Sequence, residues 1–377
     1  MQFEDLDTPA ALIDEARMQH NIQRMQQRLQ GLGVRLRPHV KTAKCVAVAE
    51  RQCAAGAQGI TVSTLKEAED FFAGGFDDIL YAVCITPQKL AAARALRERG
   101  CRLTVLVDSL AAAEAVVAAG AAHGHAYDVM IEIDTDGHRA GILPDAPLLL
   151  DVARALREGG AVLKGVMTHA GASYECRTPR ALAAMAEQER SRCVHAADRL
   201  RAAGLPCPEV SVGSTPTALS AAQLDGVTEV RAGVYVFHDL VMHGVGVCGI
   251  DEIALSVLAT VIGHQAEKGW VLVDAGWMAM SRDRGIPGQP FDWGYGAVCD
   301  IDGRLIDGLV MDSANQEHGI LAWRDGATPA DFIERFPIGS RVRVLPNHAC
   351  ATAAQFPRYA VIGSDGALTT WVRFYGW

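Results

Sequence analysis

LRPHVKTAKC, residues 36–45, places a lysine, Lys41, where a short apolar strand ends and a helical run is about to begin. Whether that junction is single or the first of a series decides the fold. Followed outward, it recurs. GVRLRPHV gives way to a helical stretch around residues 45–55, QGITVS to LKEAEDFFAGG, DDILYAV to PQKLAAARALRERG, and RLTVLVD to SLAAAEAVVAAG. YDVMIEID leads through a loop to PLLLDVARALREGG, VLKGVMTH to a long helix over residues 179–203, and PEVSVG and TEVRAG complete the count. Short β-branched runs bounded by Gly, alternating with segments of helical spacing, are the pattern of a parallel sheet with crossover helices. Roughly eight such units in a row predict a (β/α)8 barrel of the α/β class.

On either side of the series the pattern changes. Before it, Ile22, Met25, Leu29 and Leu32 stand at helical spacing, with Gly31 and Gly33 as a stop. Beyond Met242 come alternating strands and Gly-rich turns: IALSVLATVIGHQ, GWVLVDAGW, GYGAVCDIDGRL, RVRVLPNHAC and ALTTWVRFYGW, with one modest helix near residues 329–335. This predicts a C-terminal all-β domain, and FEDLDTPAALID at the N-terminus reads as one more strand joined to it. The expected division is a barrel over residues 14–242 and a β-domain over 1–13 plus 243–377.

Composition narrows the function classes. With 50% hydrophobic and 21% charged residues the chain is an ordinary globular protein rather than a disordered one. The net charge of −9 is spread along the chain, with no basic stripe, which argues against a nucleic-acid partner. The apolar runs are too short for a bilayer, and MQFEDLDTPA carries acids where a secretory leader carries cations, so a cytoplasmic protein without a membrane partner is expected. The ten cysteines show no close Cys-x-x-Cys pairs and fit reduced core thiols.

In barrels the chemistry gathers at the face where the strands end, and Lys41 lies on that face. A partly buried lysine loses hydration of its charged form, and its neutral amine can then attack a carbonyl or take a proton. A lysine that snorkels to solvent is the competing explanation, and strand-end placement alone does not choose between them. The other strand ends do. The seventh ends SVGSTPT and the eighth VRAGVYVF, where barrels commonly bind phosphate through Gly-rich turns and a helix start, helped here by Ser214 and Thr215. A strand-one lysine with such a site points to pyridoxal 5'-phosphate held as a Schiff base.

PHVKT, IDTDGHRAG, THAGASY, GSTPT, RAGVYVF, VDAGWMAMSRDRG, ANQEHG and PNHAC together resemble the D-serine dehydratase and D-threonine aldolase family, nearly end to end. That family has the alanine-racemase-like architecture of barrel plus β-domain. The resemblance implies that Lys41 carries the cofactor and that Arg139 hydrogen-bonds the phenolic oxygen of its ring. It implies that His169 and Tyr174 line the ring, Tyr174 on the pyridine-nitrogen side. Gly213, Ser214, Thr215, Gly233, Val234 and Tyr235 would hold the phosphate. A homodimer is expected on the same basis.

His348 and Cys350 form the second candidate group. On an extended segment residues two apart point the same way, and nitrogen and sulfur suit zinc. A bare His-x-Cys is common, and structural zinc takes four ligands, so two fit only an open catalytic ion. The resemblance supplies that context: dehydratases of the family carry His-x-Cys here and D-threonine aldolases typically His-x-Asp. It implies Zn2+, with Mn2+ or Mg2+ as substitutes. The activity implied is dehydration of D-3-hydroxy amino acids, such as D-threo-3-hydroxyaspartate to oxaloacetate and ammonia or D-serine to pyruvate and ammonia. Lys41 would be the base and the metal would stabilise the leaving hydroxide. Arg282 and Arg284 are candidates for a second substrate carboxylate. Retro-aldol cleavage to glycine and an aldehyde, a metal-free racemase and a non-catalytic cofactor-binding protein are the alternatives; the last has no use for His348 and Cys350.

Overall fold

The computed structural model describes the chain except residues 1–2, 286–287 and 325–327. It divides into two compact units, Met1–Ile22 with Val234–Tyr375, and Gln23–Gly233 with Gly376–Trp377.

The second unit holds eight parallel strands: β2 (Arg35–Leu36), β3 (Ile60–Val62), β4 (Asp78–Cys84), β5 (Arg102–Val107), β6 (Asp128–Glu132), β7 (Val162–Met167), β8 (Glu209–Val212) and β9 (Glu229–Val230). They follow β1 (Ala10–Asp14) of the other unit in chain order. Their spatial order is β2-β9-β8-β7-β6-β5-β4-β3, and the ends meet where His39 bridges Thr61 in parallel. The Val40 N–H bonds the Thr61 carbonyl at 2.9 Å and the Thr61 N–H the Pro38 carbonyl at 2.8 Å. The sheet is thereby closed into the expected barrel. Its strands are nearly continuous apolar runs because one face meets the barrel interior and the other the helices. Leu80, Leu106, Met130 and Met167 from four successive strands form one interior cluster.

Several strand-to-helix loops end in a hydroxyl side chain, and this is how the sequence sets each helix start. Thr64 accepts the Glu67 N–H, Ser109 that of Ala112, Thr178 that of Ala181, and Ser214 that of Thr217. Each such cap contributes about 1 kcal/mol.

The first unit is built on β10 (Leu255–Gln265), β11 (Trp270–Val273), β12 (Gly296–Cys299), β13 (Leu305–Ala314), β14 (Gly319–Trp323), β15 (Arg341–Pro346), β16 (Arg358–Ile362) and β17 (Leu368–Val372). Pairing runs β11-β14-β13-β12-β15-β10-β1-β16-β17, and β11 pairs back onto β10, so six antiparallel strands close on themselves. The N-terminal strand joins this sheet as expected, antiparallel to β10 and parallel to β16. Leu12 and Ile13 are fully buried there, and each contributes roughly 1.5–3 kcal/mol by leaving water. The helix near residues 329–335 is shorter than the pattern suggests, Phe332–Arg335. Short helices at Leu240–Val245, Trp277–Met280 and Ala349–Ala353 interrupt the sheet. The ten cysteines, all among the described residues, form no disulfide. Among the described residues no helix is long and apolar enough to cross a membrane.

Candidate functional site

Lys41 follows the closing bridge by two residues, in a turn, and its side chain is exposed rather than partly buried. Its charge reaches two imidazoles. His39 and His169 are both held uncharged, first by burial and next by Lys41, and for His169 the pKa falls to about 3. The charges of Arg139 and Arg231 act on His169 in the same direction. His169 Nδ1 stands 2.9 Å from the Gly213 carbonyl, so this nitrogen carries the proton and Nε2 keeps its lone pair. The Tyr174 ring lies 6.3 Å from that of His169, tilted by 52°. Lys41, Arg139, His169 and Tyr174, from three separate loops, thus belong to one face of the barrel.

Arg139 is exposed, and its Nη2 is 3.5 Å from Glu132 Oε1 at the end of β6. Glu132 Oε2 also accepts the Cys84 thiol at 3.2 Å. Cys84, Asp108 and Glu132 are the one trio among the described residues whose potential metal-ligand atoms all lie within 4.8 Å of one another. Burial, then the two carboxylates, push the Cys84 thiol well above its ordinary range. The Cys84 thiol thus donates to Glu132, and Glu132 in turn backs Arg139.

The phosphate-loop residues are buried from Gly213 to Thr215 and from Gly233 to Tyr235. Gly213 has φ +136°, and a Cβ there would sit 2.1 Å from the Arg231 carbonyl oxygen, which explains the residue type. Two of the N–H groups expected to face an anion are engaged within the protein. That of Gly213 donates to Glu189 at 3.0 Å, and that of Ser214 to Thr217 Oγ1 at 3.0 Å. Glu189, which the sequence does not single out, also accepts the Ala170 N–H at 2.9 Å. This buried carboxylate therefore pins the loops after β7 and β8 together. The hydroxyls of Ser173 and Ser214 are 2.8 Å apart. Val234 and Tyr235 begin a buried 3-10 turn, Val234–Val236.

His348 and Cys350 lie in the other unit and in hydrogen-bond contact with each other. The extended-segment argument for them needs correction. His348 is extended, φ −131° and ψ 105°, but it is the N-cap of Ala349–Ala353, and Cys350 stands in that helix's first turn. The tight turn, rather than strand alternation, brings the two side chains to one side. Two carboxylates missed from the sequence organise them. His348 Nδ1 is 2.6 Å from Asp283 Oδ2. The buried Asp239 accepts the Ala349 N–H at 2.8 Å and the Met242 N–H at 2.8 Å. Burial opposes a charged His348, but Asp283, Cys350 and Asp239 together lift its pKa well above the imidazole range. Arg284 is committed elsewhere: its Nη2 donates to both carboxylate oxygens of Asp292 and its Nε to the Gly294 carbonyl. Arg282 lies 4.0 Å over the Trp277 ring.

Both donor sets suit the groups expected for them. An amine, a guanidinium and an imidazole kept neutral, around one barrel face, match an aldehyde-bearing ring with anionic substituents. A thiol beside an imidazole whose Nδ1 is already occupied matches a borderline-soft divalent ion at Nε2 and Sγ.

Comparison with known proteins identifies the family. Residues 13–240 match the alanine racemase N-terminal domain, and residues 254–362 match the serine dehydratase domain. Over 373 residues the chain is 65% identical to D-threo-3-hydroxyaspartate dehydratase of Delftia sp. strain HT23, covering 99% of this chain and 98% of that one. It is 31% identical over 389 residues to D-serine dehydratase of Dictyostelium discoideum, covering 97% and 95%. A solved structure of a cysteine-to-alanine variant of D-threo-3-hydroxyaspartate dehydratase, in metal-free form, matches with TM-score 0.99 at 64% identity over 100% of both chains.

Proposed function

The chain belongs to the family that joins an alanine racemase N-terminal domain to a serine dehydratase domain, and on that premise we propose that it is a pyridoxal phosphate- and zinc-dependent dehydratase of D-3-hydroxy amino acids. Ammonia and a 2-oxo acid are its products, and D-threo-3-hydroxyaspartate, the substrate in the name of the Delftia relative, is the first candidate substrate. We take it to be a cytoplasmic homodimer with the domain division 14–242 and 1–13 plus 243–377.

The observation that carries this proposal is the side-chain contact of His348 with Cys350. The sulfur ligand is the feature that separates dehydratases from aldolases in the family resemblance. His348 and Cys350 would hold the divalent ion. When bound, the ion supplies Lewis acidity to an oxygen that must leave as hydroxide at neutral pH. Pyridoxal phosphate, when bound, supplies an electron sink for the carbon that loses its proton.

The remaining chemistry falls to the chain's own groups. Lys41 would hold the cofactor, and its amine would take the α-proton. Arg139, backed by Glu132, binds the ring's phenolic oxygen. His169 presents a neutral Nε2, because Nδ1 is committed to the Gly213 carbonyl, and so lines the ring without adding a charge. Tyr174 would stand at the pyridine nitrogen, where a phenol leaves the nitrogen less basic than a carboxylate would. Gly213, Ser214, Thr215 and Gly233 shape the phosphate loops. Arg282 is the stronger candidate for a second substrate carboxylate, since Arg284 is already paired with Asp292.

Purified protein given D-threo-3-hydroxyaspartate, D-serine and D-threonine, with and without a chelator, tests the proposal. Ammonia and oxo acid are expected, and both should be lost on chelation. Glycine as the main product from D-threonine would overturn dehydration in favour of aldol cleavage, and ammonia release unaffected by chelation would remove the metal from the proposal.

A further inference from the structure

His348 has one ring nitrogen engaged before any ion arrives, and the group that engages it is itself held in place. Asp283 Oδ1 accepts the Gly285 N–H at 2.9 Å, and the Asp283 N–H donates to Ser281 Oγ at 3.1 Å. Those two bonds fold residues 281–285 into a tight turn that aims Oδ2 at His348 Nδ1, 2.6 Å away. The turn holds a strained backbone: Ser281 has φ +72° and ψ +156°, a region that residues other than Gly rarely occupy. Such strain persists where surrounding structure dictates it, and it clusters at functional sites. The flanking cations do not compete for the carboxylate. Arg284 Nη2 donates to both oxygens of Asp292, and Arg282 is stacked over Trp277.

We propose that Asp283 is a positioning residue for the metal site: its carboxylate, fixed by the Ser281–Gly285 turn, takes the proton of His348 Nδ1 in hydrogen bond, sets the tautomer, and so presents Nε2 to the ion beside Cys350. This rests on the assignment of His348 and Cys350 as metal ligands made above. A ligating imidazole with its second nitrogen tied to a carboxylate is more basic and has a fixed ring plane, and loss of such a partner typically weakens metal binding about 10- to 100-fold. Asp239 complements it from the backbone side by holding the Ala349 N–H. Asp283 orients the ring, and Asp239 fixes the main chain that carries it. The competing explanation is a half-exposed surface ion pair, since both side chains are about two-fifths exposed, 41% and 40%, and pairs of that kind contribute little. The two explanations differ in what they predict for the ion.

The test is Co2+ binding to the metal-stripped protein, followed by the thiolate-to-cobalt charge-transfer absorption and by competition with a chromophoric chelator. D283A should bind Co2+ about 10- to 100-fold more weakly yet reach the same charge-transfer intensity at saturation, because Cys350 still ligates. D283N, which keeps an acceptor without the charge, should fall between D283A and the unaltered protein. H348A and C350A serve as reference, C350A losing the charge-transfer band altogether. If D283A binds Co2+ within twofold of the unaltered protein while H348A binds far more weakly, Asp283 is a surface partner only and the proposal fails alone. If H348A and C350A bind as tightly as the unaltered protein, the metal assignment itself is wrong and Asp283 falls with it. A near-ultraviolet circular dichroism spectrum unchanged in D283A separates loss of ion binding from loss of fold.

Discussion

His169 shows how one side chain links packing to pH. Its imidazole is desolvated and faces the charges of Lys41, Arg139 and Arg231, so the folded state holds its pKa near 3, against 6.5 for an ordinary histidine. Above about pH 6.5 both folded and unfolded chains carry it neutral, and its contribution to stability is fully present. Below that value the unfolded chain takes up a proton that the folded chain refuses, so stability is lost as the pH falls from 6.5 toward 3. The urea midpoint is therefore expected to drop between pH 7 and pH 5, and His169→Gln, which cannot titrate, should make that drop shallower. Equal slopes for the two proteins would show that His169 is protonated in the folded state after all. Nothing adjacent in THAGASY announces this behaviour. The histidine became a candidate through the family resemblance of THAGASY, but its neutrality depends on burial and on Lys41 and Arg139, which lie far away in sequence. Asp239 and Asp283 were missed for the same reason: an aspartate in a turn has no pattern of its own, and its role appears only when residues 239, 283 and 348 converge.

At the scale of the strand, apolar runs and Gly-bounded turns were enough to find the barrel, because a buried parallel strand must be apolar almost throughout. Polar residues inside those strands were not interpretable, since their partners follow from register. β8 and β9 pair Ser211 with Glu229. The Ser211 hydroxyl donates to Glu229 Oε1 at 2.8 Å and accepts Arg231 Nε at 2.8 Å. Arg37, just past the neighbouring strand β2, reaches Glu229 Oε2 at 2.9 Å and Asp78 at 2.7 Å. A continuous polar chain thus crosses three adjacent strands at a level where Ser211 is fully buried. RAGVY reads in sequence as a phosphate loop, and yet its first residue, Arg231, is buried in this chain of contacts. Ser211→Ala leaves a buried guanidinium and a buried carboxylate each short of one partner, which costs about 1–3 kcal/mol. Urea unfolding at pH 7 should show that loss as a lower midpoint with an unchanged slope, and an unaltered midpoint would mean that the two groups find each other without the serine. The extended reading of PNHACAT erred at this same scale: side-chain alternation was assumed where a five-residue helix begins, and no feature of HACATA distinguishes the two locally.

For the whole molecule, the order of the elements was legible because the chain changes rhythm near Met242, from strand-helix alternation to antiparallel strands. The consequence is a separation of chemistry. Lys41, Arg139, His169 and Tyr174 all lie within residues 23–233, whereas His348, Cys350, Asp239 and Asp283 lie within residues 234–375. Arg139 bonds Glu132 and His169 the Gly213 carbonyl in the first set, and His348 bonds Asp283 and Asp239 the Ala349 N–H in the second. Removing the ion should therefore leave the cofactor-binding residues as they were. Chelation is expected to stop ammonia release from D-3-hydroxy amino acids while the protein keeps its bound cofactor, and borohydride reduction followed by peptide mapping should place the cofactor on Lys41 equally with and without the chelator. Restoring a divalent ion should return activity without adding pyridoxal phosphate. If chelation instead released the cofactor, or if the reduced label appeared on Lys44, whose amine is paired with Glu67 at 3.0 Å, the assignment of the two chemistries to two sets of residues would be wrong.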